Sequence, residues 1–371
     1  MNKIAIDTST LKSGHKVRGI GVNTRELIDG LGKLKDKSIN IYPIDFSGAE
    51  LSTYDLIHYQ YFNPYFFSLP VKKIGRKVLL TVHDLIYLVY PKAYPPGLKG
   101  RIRFQIQKLL MRNTDGILTI SETSKKDIVR FLGVKANKIY VVHLAPRSIF
   151  KTIESSKVLN LVRNKYKLPP NFVLYVGDVN YNKNIVTLIK ACREEKLTLV
   201  IIGKQAMSIE GVGMGLSNIH GPRDWVRYIT NKPHPELAHF QELKDEFKKS
   251  SDIIRLGFVP DSDLVAIYNL ATLYCQPSFY EGFGLPVLEA MACGTPVAAS
   301  KIQAHKEIAG DAVEYFDPES TQDMSSVIKR VGFDKKIRSD LIIKSKKNIE
   351  KYSWERTTEG VLKVYKSMLI K

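Results

Sequence analysis

Short apolar runs rich in β-branched residues punctuate the first half of the chain: KIAID (3–7), INIYPI (39–44), DLIHY (55–59), KVLLTV (77–82), GILTI (116–120) and IYVVHL (139–144). Stretches with apolar residues at helical spacing separate several of them. That alternation predicts a mainly parallel, doubly wound sheet. A second series repeats the architecture with FVLYVG (172–177), LTLVIIG (197–203), IIRLGF (253–258), TLYCQP (272–277), PVAAS (296–300) and VEYF (313–316). The expected fold class is therefore α/β, with two Rossmann-like doubly wound domains. At 371 residues the chain is long enough for two. Sheets of this kind bind ligands outside the carboxyl ends of their strands, which puts the ligands in a central cleft that both domains face.

Between the two series lies SIFKTIESSKVLNLVRNKYKLPPN (148–171), polar and closed by Pro169 and Pro170. It reads as the approach to a linker, with one domain over 1–168 and the next over 169–353. Residues 204–250 are too many for an ordinary connection between α/β elements. They hold GVGMG, HGPRDW and the helix-like HPELAHFQELKDEFKKS. The segment is expected to be an insertion, used for acceptor recognition or as plain surface elaboration.

Composition narrows the class. About 18 consecutive apolar residues, the length of a membrane-spanning helix, occur nowhere, and the first residues read as a strand rather than a secretory signal. A cytoplasmic protein, free or peripheral on the inner face of the plasma membrane, is expected. Cys192, Cys275 and Cys293 are widely spaced in apolar contexts, which suits reduced, buried thiols better than a zinc site. The net charge of +19 is uneven, since residues 1–150 carry 24 Lys or Arg against 11 Asp or Glu. Such a bias fits an anionic partner, namely membrane headgroups, a phosphorylated acceptor or nucleic acid, or serves solubility alone. No helix-turn-helix, zinc-finger or RNP signature accompanies the charge, so nucleic acid is not expected. GLKGRIRFQIQKLLMRN (97–113) sets Leu98, Ile102, Ile106 and Leu109 at helical spacing among Arg101, Arg103, Lys108 and Arg112, after the aromatic YQYFNPYFFSLPVKK (59–73). It is either a helix that docks on an anionic membrane or a lipid-diphosphate-linked glycan, or a core-facing helix with a charged outer side.

The densest chemistry lies in QPSFYEGFGLPVLEAMACGTPVAAS (276–300). After a strand, Gly282 and Gly284 permit a tight turn, Pro286 suits the first position of a helix running to about Cys293, and Gly294 falls just past its end. Strand, glycine turn and helix N-terminus together make an anion cradle. Helical side chains tilt toward the N-terminus, so Glu289 is expected to reach back toward it. Carboxylates beside bound phosphate serve best as acceptors for sugar or ribose hydroxyls, which suggests a sugar nucleotide. Without such a ligand, Glu289 is a solvated helix residue and Glu281 a charge favoured by the helix dipole. DSD (261–263) imitates a metal-binding D-x-D but directly precedes LVAIYNLA, where Asp or Ser serves as a helix N-cap, and no metal is expected. GVGMG (211–215) lacks a preceding strand and reads as flexible loop.

The E-x7-E spacing of Glu281 and Glu289 resembles the signature of the GT4 family of retaining glycosyltransferases (glycosyltransferase group 1) with the GT-B fold. The resemblance extends to LGFVPDSDLVAIYNLATLYCQPS, EIAGDAVEYFDP, YSWERTTEGVLKVYKSML, RGIGVNTREL, TVHDL and LTISETSKKDIVRFLGVKANKIYVVH. It implies that Glu289 binds the donor ribose, that Glu281 contacts hydroxyls of the transferred sugar, and that Phe283, Gly284 and Leu285 line the sugar and phosphate site. In GDVNYNKN, Gly177 would turn the chain and Lys183 would pair with the donor diphosphate, a charge suited to a departing nucleoside diphosphate. Family members often carry an arginine where Asp178 stands here, so that second cation is either missing or supplied elsewhere, by Arg18, Arg223 or Lys204. Gly19 and Gly21 resemble the family's diphosphate-approaching glycine loop. His83 and Asp84, at the end of a predicted strand, take an acceptor-side or sugar-contacting role, or else His83 is structural and Asp84 caps a turn. The implied reaction moves a hexose from GDP-mannose, or next a UDP-sugar, to a glycan or lipid-linked acceptor in cell-surface polysaccharide assembly. It proceeds with retention, without metal or other cofactor, and with domain closure excluding water. The last helix, about 354–371, is expected to cross back onto the first domain. Rival readings keep the fold for a sugar-nucleotide hydrolase or epimerase, or discard it for a basic nucleic-acid-binding protein.

Overall fold

The structure, a computed structural model, describes every residue except 13–18, 35, 71, 212–234 and 371, with backbone alone at 235–237. Two units form. The first comprises Met1–Val89, Pro96–Arg147 and Tyr352–Lys371, and the second Tyr90–Pro95 and Ser148–Lys351.

In the first unit, β1 (Asn2–Asp7), β2 (Ile39–Ile44), β3 (Leu56–Tyr59), β4 (Lys77–Thr81), β5 (Gly116–Thr119) and β6 (Ile139–Val141) make one sheet in the order β2-β1-β3-β4-β5-β6. All its pairings are parallel. One face packs Ile4, Ile6, Leu56 and Leu79 against Leu27 and Leu31 of the helix Gly19–Lys33 and Val361, Tyr365 and Met368 of the helix Trp354–Ile370. The two helices touch closely at Gly30, where a Cβ would sit 2.3 Å from the Thr358 hydroxyl. Gly19 and Gly21, expected in a loop, belong instead to the first turn of the helix Gly19–Lys33, and Gly21 is buried. Arg18 lies outside the described residues.

The helix Gly97–Leu110 does not turn its apolar stripe inward. Its buried residues are Gly100 and Gln107, and Leu98, Ile102, Ile106 and Leu109 are exposed. The helix meets the core through Phe104 and Leu110 instead, so the core-facing alternative is corrected in the stripe that it turns inward.

The second unit repeats the plan with β7 (Phe172–Val176), β8 (Thr198–Ile202), β9 (Ile253–Leu256), β10 (Leu273–Gln276), β11 (Val297–Ser300) and β12 (Glu314–Phe316), ordered β12-β11-β10-β7-β8-β9. Its pairings are parallel too. The strand order reverses between β7 and β10, so the loops leaving their carboxyl ends diverge and open a crevice.

The unit takes up the chain at Ser148 rather than at the Pro169–Pro170 pair. The polar stretch before those prolines holds the helix Ser156–Tyr166, capped by the Ser155 hydroxyl and packed beside the helix Asp261–Leu270. Lys165 and Tyr166 both hydrogen-bond the Asp263 carboxylate, at 2.6 and 2.8 Å. That bond also corrects the expected N-cap: Pro260 occupies it, and the acids fall inside the first turn. Within 204–250, helices Lys204–Ser208 and Pro235–Lys249 flank the undescribed stretch. GVGMG beyond Gly211, and Arg223, fall in that stretch. Among the described residues, no helix is long and apolar enough to cross a membrane.

Candidate functional site

The crevice of the second unit is built by two loops. The loop after β7 turns at Gly177, whose φ of +149° suits glycine and where a Cβ would lie 2.9 Å from the Tyr175 hydroxyl. It then runs through Asn182-Lys183-Asn184 into the helix Ile185–Glu194. The loop after β10 carries Ser278 to Gly284 and enters the helix Leu285–Ala292.

Two asparagines tie the loops together. Asn182 Nδ2 donates to the Tyr280 carbonyl at 3.1 Å, and the Phe279 amide returns a bond to the Asn182 carbonyl at 2.8 Å. Asn184, held at φ +56°, donates to the carbonyls of Pro277 and Pro318 at 3.0 and 2.8 Å. The Tyr94 hydroxyl donates to Asn182 Oδ1 at 2.7 Å. Lys183, between the asparagines, is thus delivered to Glu281.

The Lys183 ammonium donates to both carboxylate oxygens, at 2.7 and 2.9 Å. Ser278 Oγ and Gln276 Nε2 donate to Oε1 of the same carboxylate at 2.6 and 2.8 Å. Tyr274 donates to Gln276 Oε1, which orients that amide with its NH2 toward Glu281. Burial pushes the Glu281 carboxyl up, but the Lys183 ammonium and the Ser278 hydroxyl outweigh it and hold the group below its ordinary value. The result is an ionised, buried carboxylate with a partly exposed cation above it.

The helix Leu285–Ala292 starts from Gly284, at φ +111°, with no side-chain cap and with Pro286 in its first turn. A Cβ on Gly284 would lie 3.0 Å from Ile308 Cδ1 and 3.2 Å from His305 Cδ2. The His305 ring is fully buried, and its Nδ1 lies 2.9 Å from the Ser300 carbonyl. A carbonyl only accepts, so Nδ1 carries the proton and Nε2 is an acceptor. Nε2 is buried without a partner. Burial moves the His305 pKa down, which keeps the ring neutral.

Phe283 is buried beside Gly284, and Leu285 is half-buried. Glu289 lies one turn into the helix, half-buried, and accepts from the Tyr268 hydroxyl at 3.1 Å. The second unit therefore gathers Gly177, Lys183, Glu281, Phe283, Gly284, Leu285 and Glu289 around its two loops. Lys204 is exposed and rests 5.3 Å over the Phe258 ring.

His83 and Asp84 belong to the first unit, just past β4. The His83 carbonyl accepts from Ser124 Oγ at 2.8 Å, and Asp84 accepts from the Ile86 amide at 3.3 Å. His83 also lines a cavity of about 30 Å³ with Asn23, Gln60, Thr81 and Trp354. Residues that sequence reasoning missed are Asn182, Asn184, Gln276, Ser278 and His305. The N-K-N triplet and the alternation of Gln276 and Ser278 before Glu281 were the available signals; His305 had none. The three cysteines are free and buried, and burial pushes the Cys293 thiol up to about 12.

A family model described as Glycosyl transferases group 1 matches residues 160–348, and one described as Glycosyltransferase Family 4 matches residues 44–145. The chain is 30% identical to O-antigen chain mannosyltransferase B of Escherichia coli, over 84% of this chain and 75% of that one. It is 27% identical to the serotype-specific mannosyltransferase WbdA of Escherichia coli over 82% of this chain but only 35% of that protein. Among solved structures, it resembles sucrose-phosphate synthase from Thermosynechococcus elongatus with a TM-score of 0.70 at 17% identity, covering all of both chains. Anabaena HepE, solved with UDP-glucose, gives a TM-score of 0.65 at 15% identity over 99% of this chain and all of that one. The chain is a glycosyltransferase, and it belongs to the group 1, GT4-type family with the GT-B fold.

Proposed function

We propose that the chain transfers a hexose, with retention of anomeric configuration, from a nucleoside-diphosphate sugar to a hydroxyl of a glycan or lipid-linked acceptor in cell-surface polysaccharide assembly. GDP-mannose is the first donor and a UDP-sugar the second. The observation that carries the reading is the Lys183–Glu281 pair at the carboxyl ends of β7 and β10, beside the uncapped start of the helix Leu285–Ala292. A departing nucleoside diphosphate develops negative charge, and an ammonium with a helix N-terminus is suited to receive it. Glu281 holds Lys183 before the donor arrives, so little reorganisation is needed at the reacting centre. Glu289 binds donor ribose hydroxyls.

Gly19, in the first turn of its helix, is assigned to the diphosphate side, and His83 and Asp84 to the acceptor side. A donor phosphate oxygen takes the acceptor proton, so the reaction needs neither a metal nor a protein base. Mannose is preferred because the curated relatives named above are mannosyltransferases; UDP-sugars stand second because the HepE structure contains UDP-glucose.

The test is donor turnover by the purified chain with GDP-mannose, UDP-glucose and UDP-N-acetylglucosamine, each with and without a mannosylated acceptor, and with and without EDTA. Acceptor-dependent release of GDP that resists EDTA, with an α-linked product from the α-linked donor, is expected. Equal nucleotide release without any acceptor would instead favour a sugar-nucleotide hydrolase.

A further inference from the structure

The helix Gly97–Leu110 carries an apolar stripe that does not meet the core. At 100° per residue, Leu98, Ile102, Ile106 and Leu109 fall within about 80° of arc. That stripe is the exposed one: Leu98 is 76% exposed, Leu109 58% and Ile102 53%. The opposite side is turned inward: it buries Gly100 and the polar Gln107, and rests the partly buried Phe104 and Leu110 on the core. A helix of a water-soluble domain ordinarily turns such a stripe inward.

Gln107 explains how the arrangement is held. Its Nε2 donates to the carbonyls of Asn63 and Phe66, and its Oε1 accepts from the Ser68 amide at 3.2 Å. A buried amide with all these partners satisfied costs little, and it clamps the loop 63–68 along the helix. That loop presents two more exposed rings, Phe66 at 63% and Phe67 at 60%. The Arg103 guanidinium lies 5.8 Å over the Phe66 ring.

Cations border the stripe on both sides, Lys99 and Arg103 on one and Arg101, Lys108 and Arg112 on the other. At the end of the helix a cavity of about 610 Å³ opens, lined by Lys108, Leu109, Arg112, Leu132, Lys135 and Lys138. None of these four cations is ion-paired among the described residues. An apolar strip, two rings and an adjoining basic pocket match the layers of a bilayer surface, with acyl boundary, interface and anionic phosphate. A second copy of the chain would set the same cations against themselves.

We infer that this face docks the first unit on an anionic lipid bilayer, with Leu98, Ile102, Leu109, Phe66 and Phe67 entering the interface and the basic pocket seating a lipid phosphate. The inference is independent of the donor assignment and stands or falls apart from it.

The experiment is co-sedimentation of the full chain with vesicles of phosphatidylcholine alone and with phosphatidylglycerol at about one part in three, at low salt and at about 0.5 M salt. Binding to the anionic vesicles, weakened by salt and absent from the neutral ones, is expected. Ile102→Gln/Leu109→Gln should lower the partition at least about tenfold at unchanged melting temperature, because both positions are exposed. Lys135→Glu/Lys138→Glu should weaken binding and reduce its salt dependence. The inference is overturned if the chain stays in the supernatant with anionic vesicles at low salt, or if Ile102→Gln/Leu109→Gln binds as the parent does. It is overturned equally if sedimentation without lipid shows a dimer that the same variant abolishes.

Discussion

The Lys183 ammonium sits 2.7 and 2.9 Å from the two oxygens of Glu281, so the cation we propose for a donor diphosphate is already held by a buried carboxylate. Neither residue acts alone, and the first prediction concerns both. Lys183→Ala should lower kcat about 100-fold and destabilise the fold by about 3 kcal/mol, since a buried charge loses its counter-ion. Glu281→Gln added to that variant should restore most of the lost stability and none of the turnover. Steady-state kinetics and denaturant unfolding of the two variants check this.

The same pair predicts a pH dependence. Glu281 has its folded pKa below the unfolded one, so its contribution is present above the unfolded pKa and is lost as pH falls through the folded value. In Lys183→Ala, burial dominates and the sign reverses, so acid then relieves a penalty. The gap in melting temperature between parent and Lys183→Ala should narrow as pH falls from about 7 to about 4.

Glu289 is half-buried one turn into its helix and accepts from the Tyr268 hydroxyl at 3.1 Å. Glu289→Gln should raise the donor KM about tenfold with kcat nearly unchanged, the pattern of an interaction made equally in ground and transition states. An equal fall in kcat and kcat/KM would remove Glu289 from that role.

Gly284→Ala should destabilise the protein by about 1–3 kcal/mol, because a Cβ at φ +111° is strained whatever the space, and here it also meets Ile308 and His305. Combining it with Ile308→Val should recover only part of the loss, since the backbone strain remains. Chemical denaturation resolves the two contributions.

In the first unit, His58 is fully buried between the Tyr365 and Thr81 hydroxyls, each 2.7 Å away, and burial drops its pKa to about 3. Between that value and the unfolded pKa, the unfolded chain binds a proton that the folded chain does not, so stability rises with pH. Acidification from pH 7 to 5 should cost about 2 kcal/mol through this residue. His58→Gln should flatten that slope in a melting-temperature series.

The fold class was legible because parallel strands buried on both faces must be apolar along their length. Each of the runs from KIAID to VEYF became a strand of one of the two six-stranded sheets, most with ends trimmed by a residue or a few. Periodicity located the stripe Leu98–Leu109 but could not say which side met the core; Gln107 and its partners some 40 residues away decided that. The polar stretch before Pro169 concealed the helix Ser156–Tyr166 because its stabilising partner, Asp263, is about 100 residues distant. Lys183, Glu281 and Gly284 stood out because strand, glycine and helix signals adjoin them. Asn182 and Asn184 left only the N-K-N triplet as a signal and His305 none, since their partners are main-chain carbonyls far away in sequence or close packing around a glycine.

Asn182 and Asn184 grip main-chain oxygens, those of Pro277, Tyr280 and Pro318, and no side chain of the opposing loop. The hydrogen bonds that aim Lys183 therefore do not depend on the side chains of residues 279 and 280, whose rings pack on Tyr181 and Tyr90. On the proposed assignment, a substitution at 279 or 280 that keeps this ring packing leaves the lysine aimed, because the bonds that aim it end on the main chain.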